Sequence, residues 1–168
     1  MTGLHSIGAL SAVLLGTLTI ATLPCIAQVV GDEAELGRLQ TKAEDAIGND
    51  DPDGAAMMMG RAALLAMQLA KQQTGWTAGF HRGQEALFRS QEHTYRAMAL
   101  FRRAGGQLPA SSGVCGSLAL AHTSLGHATD LETPPPVPRL TDQATRLHAT
   151  ADTWRQAIDS LITEYHCP

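Results

Sequence analysis

Apolar positions along this chain fall into two regimes. From Ile7 to Leu23 they run almost without interruption, whereas from Leu36 to Tyr165 they recur every three to four positions among polar neighbours. The second spacing is that of an α-helix with one buried face. It predicts helices over about Asp32–Ile47, Pro52–Gln73, Trp76–Ala104, a fourth from a cap at Ser111 or Ser112 to about Thr129, and a fifth over Thr141–His166. The breaks between them carry ordinary stop signals: Gly48 to Gly54 with Pro52, Thr74-Gly75, Gly105 to Pro109, and a proline-rich loop over residues 133–138. Leu36, Leu39, Ala43, Ala46 and Ile47 share one face of the first helix, and Met58, Ala62, Leu65 and Leu69 form the seam of the second. Phe80, Leu87, Met98 and Phe101 line the third helix, and Ala144, Leu147, Ala151, Trp154, Ile158, Leu161 and Tyr165 line the fifth. Hairpin dipeptides and sustained alternation, the signals of strands, are missing. The expectation is an all-α chain of antiparallel helical hairpins, stacked as a short solenoid or as a five-helix bundle.

The first regime changes the expected compartment. An apolar run of this length followed by Pro24-Cys25-Ile26-Ala27-Gln28 reads as a signal peptide over residues 1–27, cut after the small-x-small pair Cys25 and Ala27. The alternative is an uncleaved N-terminal anchor, because about 20 apolar residues suffice to span a bilayer. Export to a periplasmic or secreted location follows in the first case, and membrane contact is expected only in the second. Residues 28–168 then form a single domain. Two cysteines remain in it, Cys115 and Cys167, an even pair in an oxidising compartment and therefore a candidate disulfide.

Composition narrows the function classes. The chain holds three Phe, two Trp and two Tyr, so its core must be built from Leu, Ala and Met. Eight acids lie between Gln28 and Gly60 against Arg38 and Lys42, while seven bases lie between Arg61 and Pro109 against Glu85 and Glu92. The net charge is −4 with no basic run, which argues against nucleic acid as a partner. No Gly-x-Ser-x-Gly, phosphate loop, Cys-x-x-Cys or His-Glu-x-x-His pattern occurs, so no catalytic residues and no cofactor are expected.

Candidate binding residues concentrate on the third helix. Arg82, Arg89, Arg96 and Arg103 recur at intervals of seven, opposite the Phe80–Leu87–Met98 seam, with Glu85 and Glu92 each placed four residues before an arginine. Gln84 and Gln91 project close to the apolar seam, where buried amides need partners. Phe80, Gln84 and Gln91 are thus expected to border a groove completed by a partner segment, and the arginines to favour an acidic one. Among the histidines, His122 falls near Cys115, Leu118 and Ala119 on what reads as the apolar face of its helix, so a small-ligand, metal or haem-binding bundle centred on His122 is the alternative. His148, Asp152 and His166 lie along one flank but are too spread to form one site. Met57, Met58 and Met59 point to three sides of their helix and read as core filling.

Residues 78–126 resemble a tetratricopeptide repeat. Ala97, Phe101, Ala104 and Pro109 match the second-helix pattern of such a unit, and Leu118, Ala119 and Gly126 match the first helix of a following one. Ala97 and Ala104 sit where a bulky side chain would force paired helices apart. No Gly or Pro marks a turn near Ser90 to His93, so one long helix or two remain open there. The resemblance implies a non-enzymatic scaffold that receives a protein or peptide segment.

Overall fold

The computed structural model describes residues 23–131 and 137–168. The apolar leader up to Thr22, and residues 132–136 of the proline-rich loop, lie outside the described residues. Five helices and no strand are found among those described: α1 (Leu23–Gly48), α2 (Pro52–Gln72), α3 (Gly75–Arg103), α4 (Ser112–Ala128) and α5 (Pro138–Glu164). α1 starts at Leu23 rather than at Asp32 and runs unbroken past Ala27–Gln28. Pro24 is accommodated because it falls in the first turn, where its missing N–H costs nothing.

Local chemistry fixes the other ends. The Asp51 carboxylate accepts from the Gly54 backbone N–H at 2.9 Å, with Pro52 at the first helical position of α2. Ser111 caps α4 in the same way through the Val114 N–H, and Pro138 opens α5. α3 ends where Gly105 and Gly106 take φ of +75° and +68°, which lets the Gly106 N–H reach back to the Phe101 carbonyl. Residues 75–103 form one helix, with no turn between Ser90 and His93.

α3 is the hub. α2 packs on one side of it and α4 on the other; α1 rests on α2, and α5 rests on α4 and α3. Phe88 reaches from α3 into a core shared with Leu36, Leu39 and Ala43 of α1 and with Ala55, Met59, Ala62, Ala63, Ala66 and Leu69 of α2. Five of those α2 residues, Ala55, Ala62, Ala63, Ala66 and Leu69, are wholly buried, and the four alanines among them let α2 lie close against both neighbours. Leu87 and Ala86 face a second core with Ala121, Leu125 and Ala128 of α4 and with Leu147, Ala151 and Ile158 of α5. A third cluster joins Ala97, Val114, Leu118 and Tyr165, and beside it Cys115 and Cys167 form the expected disulfide.

α3 comes close to both α4 and α5 at Gly83. A Cβ there would lie 2.9 Å from the Ala128 carbonyl oxygen and 2.9 Å from Leu147 Cδ2. Alanine is the better helix former by about 1 kcal/mol, yet a backbone carbonyl cannot yield as a side-chain tip can. Gly83→Ala is therefore expected to destabilise the chain by a net 1 kcal/mol or more, roughly the cost of moderate overpacking, seen as a lower denaturation midpoint at unchanged slope.

Candidate functional site

Because α3 is flanked by α2 and α4, two of its faces remain for other work, and the sequence loads them differently. The face toward α1 and α5 carries Phe80, His81, Gln84, Leu87 and Phe88. The opposite face carries Arg82, Glu85, Arg89, Arg96 and Arg103, which line hollows against α2 and α4. The seven candidate residues thus do not converge on one site. Phe80 and Gln84 open on the α1/α5 side, and the four arginines on the other; Gln91, 5% exposed, is buried and lines neither side's hollow.

On the arginine face a single carboxylate organises the charges. Glu92 is 8% exposed, and its two oxygens accept from Arg89 at 2.8 Å and Arg96 at 2.5 Å. Space for it comes from α2: a Cβ on Gly60 would stand only 3.2 Å from the Glu92 carboxyl carbon. Arg89 also lies 3.7 Å from Glu85, and Arg103 is bound by Asp53 of α2. These contacts hold Arg89, Arg96 and Arg103 in an ordered row. The α2 side adds what the sequence did not single out: Arg61, with Met57 51% and Leu64 52% exposed, in a shallow hollow of about 540 Å³ that also takes in Arg96 and Arg103. A second hollow of about 830 Å³, lined by Trp76, Arg82, Arg89, Ser124, His127 and Asp130, continues toward α4.

The α1/α5 face is mixed. The Gln84 amide, expected to need a partner, finds it in His81 Nδ1 at 2.7 Å. Gln91 keeps its carboxamide oxygen buried with no partner among the described residues, as does the Ser90 hydroxyl. Tyr95 closes the end of this face: its ring packs edge-on against Trp154 of α5 at 5.4 Å. Burial, and then the Glu44 carboxylate of α1, push the Tyr95 hydroxyl above its ordinary range, so it stays protonated. Burial likewise holds the neighbouring His93 imidazole below its ordinary value and therefore neutral.

His122 requires a correction. Its side chain is 53% exposed and lies 3.8 Å from Asp159 of α5, outside the core. The buried face of α4 runs Val114, Leu118, Ala121, Leu125 and Ala128, and His122 is one residue, or about 100°, off that line. A ligand centre buried around His122 is not what this geometry offers. His148, Asp152 and His166 are exposed, and no three His, Cys, Asp or Glu side chains among the described residues are grouped to hold a metal ion. Met57, Met58 and Met59 diverge, with Met59 in the core and Met57 at the surface. No helix of the described residues is long and apolar enough to cross a membrane.

His81, Arg61 and Leu64 carry no sequence motif, and Met57, expected to fill the core, is instead half-exposed. For His81 a signal was present, since it lies between Phe80 and Gln84 on the same face; for Met57 and Leu64, only the structure says which side of α2 is left uncovered. The chain matches no protein-family model, no curated protein and no solved structure.

Proposed function

We propose that this protein is an exported, non-catalytic interaction module that holds a segment of a partner protein against the arginine face of α3. The observation that carries the reading is the pairing of exposed Met57 and Leu64, on either side of Arg61 along α2, with Arg96 and Arg103 across the same hollow. Exposed apolar side chains ringed by cations fit a segment that alternates apolar and acidic residues. Glu92 beneath the row fixes Arg89 and Arg96 in place, which lowers the cost of ordering them on binding. The disulfide between Cys115 and Cys167 suits an oxidising compartment, periplasmic or outside the cell. Ala97 is wholly buried where α3 meets α4, as the resemblance to the tetratricopeptide repeat implies, whereas Ala104 is exposed and α3 runs as one helix. From that resemblance only Ala97 supports a scaffold that binds segments without catalysis.

Arg61 and Arg82 are exposed and contribute nothing to the core, so they are the residues to reverse. Arg61→Glu with Arg82→Glu is expected to weaken capture of the partner from envelope extracts at least tenfold, in the manner of rim charges placed opposite an acidic segment, and to abolish the release of that partner by added salt. A partner held equally by the wild type and the double variant, or one lost instead on Phe80→Ala, would place the interaction elsewhere.

A further inference from the structure

On the other side of α3, α1 and α5 leave a strip uncovered, and that strip is the floor of a groove of about 450 Å³. The volume lies inside the range of small-ligand sites, about 300–1,000 Å³. Leu36 of α1, Phe80, Leu87 and Phe88 of α3, and Leu147 of α5 supply an apolar lining. His81, 2% exposed, supplies the polar anchor. The Gln84 amide oxygen can only accept, so the His81 Nδ1 at 2.7 Å carries the proton and donates. In the neutral imidazole that leaves Nε2 as an acceptor, and it is buried with no hydrogen-bond partner among the described residues. Such an orphan is costly unless something meets it.

Glu33 of α1 stands nearby, its Oε1 3.9 Å from Nε2, beyond hydrogen-bond reach. Both atoms accept. A nitrogen placed at about 2.8 Å from each would see them about 90° apart, close to the spread of N–H bonds on an ammonium. Glu33, with 55% of its side chain exposed, has room to turn outward and admit that group. The opposite wall, on α5, presents Arg146 to the same groove. The groove is therefore anionic on one wall, cationic on the other and apolar between.

We infer that this groove binds a short apolar peptide of two or three residues as a zwitterion. Its ammonium sits between Glu33 and His81, its side chains lie on Phe80, Leu87 and Leu147, and its carboxylate points to Arg146. Length follows from the architecture: α1 rests on α2 and α5 on α4 and α3, and among the described residues no Cα of α1 lies within 8 Å of a Cα of α5, so a ligand that meets both walls has to bridge them. The charged ends of a single amino acid are closer than one Cα–Cα step of about 3.8 Å, too short to serve both walls. The inference uses none of the residues of the arginine face and stands or falls apart from it.

The test is calorimetric titration of the full chain with leucyl-leucine, N-acetyl-leucyl-leucine and leucyl-leucine amide. Leucyl-leucine is expected to bind saturably at one site. N-acetylation and Glu33→Gln should each weaken it about tenfold, and amidation and Arg146→Gln about fivefold, as loss of one charge-assisted contact does. Both replaced side chains are exposed, and unchanged thermal melting confirms that the variants fold. Absence of saturable heat with leucyl-leucine, equal affinity for the acetylated peptide, or affinities unaffected by both substitutions would overturn the assignment.

Discussion

Replacing Cys115 and Cys167 together by serine is expected to lower the free energy of unfolding by about 4 kcal/mol, the chain-entropy value for a closed loop of this size. The two cysteines are 52 residues apart in sequence, so the unfolded chain regains a great deal of freedom when the bridge is gone. The folded state is also weakened locally. The bridge sits beside the cluster in which Phe101 and Tyr165 stack at 4.0 Å and Tyr165 packs with Ala97, Val114 and Leu118. With a total stability of about 5–15 kcal/mol for a domain, the variant should show a clearly depressed urea midpoint, and the wild type in reductant should behave like it. Equal midpoints for oxidised, reduced and doubly substituted protein would mean that the bridge adds nothing to the fold.

The second large effect is expected at Phe88. Phe88→Ala should cost about 3–5 kcal/mol, the range for deleting a buried phenyl ring. Phe88 heads the fully buried side chains by volume, and among the described residues it is the buried α3 side chain of the α1–α2 core, with Tyr95 packed at its edge. Many of its neighbours are alanines, which have no χ rotation with which to move into the space, so little of the cavity would be reclaimed. The loss should be read from equilibrium denaturation. Phe80→Ala offers the contrast, since that ring is only half-buried and stacks on Trp76 at 5.3 Å, and its cost should be smaller.

How much of this was legible beforehand depends on what each feature rests on. α2 and α4 follow from periodicity and caps and α3 and α5 from periodicity, although α5 starts at Pro138, within the expected loop, instead of at Thr141; four members of the fifth-helix stripe, Leu147, Ala151, Ile158 and Tyr165, are indeed buried. α1 starts earlier than expected because nothing between Pro24 and Asp32 breaks a helix once proline is placed in its first turn. The arginine row was legible because intervals of seven hold a helix face. The groove was not, because it depends on where α1 and α5 settle, and no local spacing encodes the gap between helices so far apart in the chain. Nor could the wheel unite Phe80 and Gln84 with Arg89 and Arg96: at 100° per residue they face opposite ways, and the fold keeps them so. His122 shows the limit of angular reading, since a single step around α4 separates Ala121 in the core from a half-exposed imidazole.

The bridge has a mechanical side as well. Cys167 lies just past the end of α5, and Cys115 lies in the first turn of α4, so α4, its connector and α5 form a closed covalent ring. Tension applied at the carboxyl end passes through sulfur directly to the start of α4 and bypasses α5. A cut anywhere in the connector leaves both pieces fastened to one another. Whatever is tethered to that end of the chain hangs from the middle of the domain, beside the hub helix, instead of from its last rod.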